Sequence, residues 1–208
     1  MTTTTQNFSI PAVDLKAMLN FAAKNDVRYY LNGLYFVPTT GGLAIQSTDG
    51  HIAGVLHIEH EPVFFQPFII QRDDIERLKL GNKGFVQFEV SEHDTNSNPV
   101  KIQYTGATIM AQPIDGQYPD VQRVFPKDSN GEVAFFDPAL LTRFVKAAKL
   151  LGSTGKVPMT LHYNGPQAAR VSMSGCHRFV GCIMPIRNAV PELGELPTPG
   201  WFDSMPRS

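Results

Sequence analysis

Lysines and arginines recur at helical spacing along this 208-residue chain. Lys16, Asn20 and Lys24 are four apart, so a helix sets them on one face, opposite Val13 and Leu19. Arg143, Lys146 and Lys149 repeat the arrangement by threes, while Arg72, Arg77 and Lys79 give a less regular version interrupted by Asp73, Asp74 and Glu76. Such faces suit a phosphate backbone, because lysines on helices that cross a groove meet phosphates and not base edges. Ordinary solvated helix faces carry the same pattern. Arg28 adjoins Tyr29 and Tyr30, whose rings could stack on unpaired bases; alternating tyrosines also simply pack on either side of a strand.

Asp49 with His51, and His93 with Asp94, are spaced for acid–base work. Neither pair comes with a nucleophile, a metal-ligand spacing or a phosphate loop. His51, His57, His60, His162 and His177 are scattered, and Cys176 and Cys182 read as buried thiols. The expectation is therefore no catalytic residue, no metal and no cofactor, with a metal-dependent hydrolase or nuclease using Asp49 and His51 as the enzymatic alternative.

The formal net charge of -1 argues against binding nucleic acid by bulk charge, so any phosphate contact must come from local placement. Two cysteines are too few for a secreted disulfide framework, Met1–Asn7 is polar and Thr-rich, and no apolar run reaches membrane-spanning length. A soluble, cytoplasmic protein with no membrane partner is expected.

These residues must be positioned by a repeated pattern. A strand at Phe8–Ile10 leads through Pro11 into a helical stretch up to Lys24, followed by strands at Leu34–Val37, Leu43–Ser47 and Ile52–Ile58. The order restarts with a strand at Val63–Ile70, a helix from Asp73 to Leu80 stopped by Gly81, and strands at Phe85–Val90, Val100–Tyr104 and Thr108–Pro113. A third round has a strand at Glu132–Phe136, a helix capped by Asp137 and Pro138 and ended by Gly152, then strands at Val157–Tyr163, Gln167–Met173 and Arg178–Pro185. Three β-α-β-β-β rounds imply an α+β fold, with helices on one side and antiparallel sheets on the other. The Pro- and Gly-bearing stretch Gln112–Asn130 separates a complete two-round domain over residues 1–125 from a half domain over 126–187. Residues 188–208 form a Pro- and Gly-rich irregular tail.

Several segments resemble the beta sliding clamp family, the beta subunits of bacterial DNA polymerase III. Val27-Arg28-Tyr29-Tyr30-Leu31-Asn32-Gly33 and Thr48-Asp49-Gly50-His51 are similar to segments of that family's middle domain. Asp115-Gly116-Gln117-Tyr118-Pro119-Asp120, with Arg123-Val124 and Pro126, is similar to the link into its last domain, and Ile183-Met184-Pro185-Ile186-Arg187 to its C-terminal strand. The resemblance covers about residues 8–187, with Ile52 and Ala53 standing where the family usually has Arg and Leu. It implies a DNA clamp fold and a non-enzymatic processivity factor in DNA replication, which encircles double-stranded DNA as a homo-oligomer. It also implies DNA contacts from Lys16, Lys24, Arg28, Tyr29, Tyr30, Arg72, Arg77, Lys79, Arg143, Lys146 and Lys149.

The same resemblance implies a hydrophobic pocket for short linear motifs of DNA polymerase and clamp loader, lined by Leu31, Thr48, Gly50, His51, Pro119, Arg123, Val124, Met184, Pro185 and Ile186. Trp201 and Phe202 of the tail are placed to compete for it. A peptide-binding adaptor that forms no ring is the alternative. Twelve halves close the family's ring, so three per chain imply a homotetramer. The third unit, having no second half, is expected to expose Leu140, Phe144 and Leu151 until another chain covers them.

Overall fold

The computed structural model describes residues 4–187. Strand β1 (Thr5–Pro11) runs into α1 (Ala12–Met18), and β2 (Gly33–Thr39), β3 (Gly42–Thr48) and β4 (Ile52–Glu59) follow. The second round is β5 (Phe68–Gln71), α2 (Arg72–Arg77), β6 (Phe85–Ser91), β7 (Val100–Tyr104) and β8 (Ala107–Ala111). The third is α3 (Pro138–Leu150), β9 (Met159–His162), β10 (Ala169–Met173) and β11 (Phe179–Ile183).

Several boundaries depart from the sequence expectation. α1 stops at Met18 and not Lys24, because the Asn20 side chain donates to the Lys16 and Ala17 carbonyls at 3.0 and 3.1 Å and competes with the backbone ladder. α2 ends at Arg77, and the left-handed residue beyond it is Lys79 (φ 50°), whereas Gly81 donates its N–H to the Tyr104 hydroxyl. β5 begins only at Phe68, since Pro62 and Pro67 cannot donate to a ladder. Glu132–Phe136 forms no strand. α3 matches its expected start: the Asp137 carboxylate accepts from the Ala139 N–H at 2.8 Å, Pro138 opens the first turn, and Gly152 follows at φ +104°.

The strands form two sheets, β1-β6-β7-β8 and β5-β2-β3-β4-β11-β10-β9. The leading strand of each complete round sits in the other round's sheet: β1 pairs with β6, and β5 with β2. This exchange ties the first two rounds together and stacks Phe8 on Phe88 at 5.1 Å and Phe36 on Phe68 at 5.0 Å between ring centres. The third round adds three strands edge to edge, through β11 against β4.

That seam is close-packed. Gly54 and Gly181 face each other across it. A methyl group on Gly54 would lie 2.9 Å from both the Phe21 and the Phe179 rings, and one on Gly181 would collide with Phe144. The two glycines let Phe21, following α1, meet Phe144 of α3 edge to face at 4.9 Å. Phe144 is fully buried. The expectation that it lies exposed is therefore corrected: α3 docks on α1 within the same chain, while Leu140 and Leu151 remain half-buried. Arg178 adds a polar tie, donating to the buried Asp14 of α1 at 2.9 and 3.2 Å.

A Gly181→Ala variant should lose about 1–3 kcal/mol of stability, because the added methyl must displace the Phe144 ring. Urea unfolding monitored by circular dichroism checks this; an unshifted midpoint would contradict the close-packed seam.

Candidate functional site

The three helices converge around the end of α1. Lys16, Arg72 and Lys79 line one groove there with Leu150 of α3, and Lys24, Arg72, Arg143 and Lys146 line an adjoining one. Together the grooves hold six basic residues against Glu76, Asp26 and Asp49, a local excess in a chain whose net charge is -1. Two of the six are committed internally. Arg72 donates to the Leu19 and Ala22 carbonyls at 2.7 and 3.1 Å, and Arg143 donates to the Asn20 carbonyl at 2.5 Å and pairs with the Asp49 carboxylate. They satisfy the carbonyls left over where α1 ends. Lys24, Lys79, Lys146 and Lys149 are exposed, and Lys16 reaches the Asn82 side chain at 2.5 Å.

Asp49 joins these grooves to a second site. One of its carboxylate oxygens accepts from the His51 and Ile52 N–H groups at 2.8 and 3.0 Å, while the other holds Arg143. Thr48 donates its hydroxyl to the Ile52 carbonyl at 2.7 Å and accepts from the Gly50 N–H at 3.0 Å. The turn is thus closed by its own side chains. Arg28 reaches across to the Asp49 carbonyl at 3.1 Å while pairing with Asp26 at 2.7 Å, and that guanidinium holds the Asp26 carboxyl down at about 2.

On the other side of the turn lies an apolar cavity of about 190 Å³. Leu31, Thr48, Gly50, His51, Pro119, Val124 and Met184 line it, and Pro185 and Ile186 line an adjoining groove with Gly50 and His51. Arg123 lines neither; its side chain is 86% exposed and pairs with Asp120 at 2.9 Å. Tyr30 and Arg28, expected among the DNA contacts, are found in the cavity wall, and Tyr29 donates to the Asp115 carbonyl at 3.0 Å. Arg77 pairs with Asp74 at 2.9 Å. The cavity also takes Ile52 and Ala53, the two positions that depart from the family's usual Arg and Leu, together with Val121 and Cys182, which sequence reasoning left out. Alternation on the last strand was the available signal for Cys182, which shares a face with Met184. Trp201 and Phe202 lie outside the described residues.

The segment between the second and third rounds builds part of this wall. Tyr118 and Val121 are buried against Ile69, with Tyr35 stacked on Tyr118 at 4.6 Å, and this anchoring brings Pro119 and Val124 to the cavity.

No family model matches the chain. Among curated proteins it is similar to the Beta sliding clamp of Buchnera aphidicola, at 29% identity over 149 residues, covering 69% of this chain and 40% of the relative. The Beta sliding clamp of Escherichia coli K12 is 27% identical over 156 residues, with the same coverage of 69% and 40%. Solved structures agree on the fold. DNA polymerase III subunit beta from Borrelia burgdorferi superposes with a TM-score of 0.69 at 17% identity, over 90% of this chain and 65% of that one. The DNA polymerase sliding clamp of Pseudomonas aeruginosa gives 0.65 at 16%, over 87% and 66%. The chain is similar in sequence and in fold to the beta sliding clamps. It spans about 40% of the length of the curated clamps it matches.

Among the described residues, no group of three His, Cys, Asp or Glu side chains could hold a metal ion, and no helix is long and apolar enough to cross a membrane. Burial pushes the Cys182 thiol up to about 12 and raises that of Cys176 as well. A raised value leaves both thiols protonated at pH 8, where the thiolate is the reactive form. The folded protein should therefore resist Ellman's reagent at pH 8 and release two equivalents of chromophore per chain once denatured; rapid labelling of the folded form would contradict the closed cavity wall.

Proposed function

We propose that this chain is the subunit of a DNA sliding clamp, a non-catalytic processivity factor that surrounds duplex DNA as a homotetrameric ring and holds DNA polymerase and clamp loader through short peptide motifs. The observation that carries this reading is the division of labour around Asp49. Lysines from all three rounds gather on the helix side, and an apolar cavity opens at the β4–β11 seam. Flexible, water-separated lysine contacts to phosphates carry no base information, so a protein held by them slides. The cavity is smaller than the roughly 300 Å³ at which drug-sized pockets begin, and it suits one or two apolar anchors of an extended peptide.

The two functions make separate demands on the protein. Neutralising Lys24, Lys146 and Lys149 to Gln should shallow the log–log salt dependence of DNA binding by roughly 0.9 for each phosphate that is no longer neutralised, while leaving peptide binding intact. An unchanged slope would contradict a DNA-facing helix side. Met184→Ala with Pro185→Ala should instead weaken a fluorescent polymerase-tail peptide at least tenfold in polarisation titrations and leave the salt slope alone. The decisive assay is retention on nicked circular DNA through gel filtration, abolished once the circle is cut. Equal retention on both forms, or peptide binding with no retention, would contradict the clamp and leave an adaptor.

A further inference from the structure

The third round lacks what each of the first two receives from the other. In both complete rounds the residues two and four places before the helix are buried in the neighbouring round's sheet: Ile10 and Phe8 before α1, Ile70 and Phe68 before α2. The equivalent residues before α3 are Phe136 and Ala134, and both are only half-buried. Beside them Val133 and Phe135 are 75% and 39% exposed.

The receiving strand is equally incomplete. β2 and β6 each take an exchanged strand, and their inward residues Leu34, Phe36, Val86 and Phe88 are buried to 1% exposure or less. β9 stands at the corresponding position in the third round, has only β10 beside it among the described residues, and leaves Met159 and Leu161 half-buried at the edge of the sheet. The sheet portion contributed by this round has three strands where each complete round has four.

Segment 131–137 thus has strand length, a matching inward pattern and no ladder, while β9 of the same round has an edge that no described residue pairs with. Within one chain the segment's backbone bonds across the strand ends of its own sheet, and Phe136 packs beside Tyr163 at 5.9 Å between ring centres. The Gly131 N–H donates to the Tyr163 carbonyl at 3.1 Å, the Gly165 N–H to the Glu132 carbonyl at 2.9 Å, and the Ile186 N–H to the Phe135 carbonyl at 2.8 Å.

We propose that two copies of this chain complete each other by reciprocal strand exchange, segment 131–137 of each pairing antiparallel with β9 of the other. The first domain is the template. It shows within one chain what two third rounds produce across a two-fold axis, and because the same patch serves both sides the contact closes at two copies. The three bonds across the strand ends are traded for a ladder, and Ala134 and Phe136 move over the inward face of the partner's β9. The proposal rests on the pairing pattern and needs no DNA, so it stands apart from the clamp reading.

Native mass spectrometry of the full chain, without DNA, should show an even-numbered assembly built on a unit of about 46 kDa, twice the 23.0 kDa chain. A monomer at tens of micromolar overturns the proposal, including the case in which residues 188–208 cover the face. A second measurement fixes the mode. Phe135→Cys and Thr160→Cys variants, both at exposed positions on the two strands, are refolded together and treated with a short bis-maleimide. The mixture should give a covalent dimer that neither variant gives alone, with Cys176 and Cys182 shielded by burial. An even-numbered assembly without that crosslink assigns the contact to another edge and equally overturns the exchange.

Discussion

The antiparallel contact between β4 and β11 is the constraint on which the remaining architecture hangs. Two glycines facing each other remove the only side chains that would hold the helix layer off the sheet at that point. With them gone, Phe21, Phe144 and Phe179 pack as one aromatic group over the seam, and α1 and α3 lie side by side. Buried aromatic contacts of this kind supply large apolar area from few residues, and they join the third round to the core of the first two.

Both candidate functional surfaces follow from that contact. The helix-side grooves exist because α3 is brought against the end of α1, where Arg143 can reach the Asn20 carbonyl and the Asp49 carboxylate. The cavity exists because the same register places Cys182 and Met184 beside Ile52 and Ala53, with the Met184 N–H donating to the His51 carbonyl at 2.8 Å. Asp49 is shared by the two, so the turn that shapes the cavity is buttressed from the helix side. Arg143 consequently serves as a structural tie, and the exposed lysines around it are the groups free to meet a polyanion.

Much of this was legible in the sequence where the signal is local. Asp137, Pro138 and Gly152 delimit α3, Val100–Tyr104 is a strand as read, and the Thr48-Asp49-Gly50-His51 turn and Met184 meet at one cavity. The illegible parts depend on partners distant in the chain. Nothing local in Phe8 or Phe68 announces that each joins the other round's sheet, since a repeating pattern fixes the elements and not their pairing. Glu132–Phe136 has the composition of a strand and fails to form one for the same reason: a strand needs an edge to join. Arg72 and Arg143 looked like free cations because helical spacing reports the face, whereas their engagement depends on carbonyls that appear only where α1 stops short.

Under the proposed function, three rounds per chain, repeated by symmetry, would close into a ring with the lysine-bearing helices inward. Negative-stain electron microscopy of the purified full chain tests this most directly. The account predicts class averages of a closed ring with a central hole wide enough for duplex DNA; compact particles without a hole, present whether or not DNA is added, would contradict it.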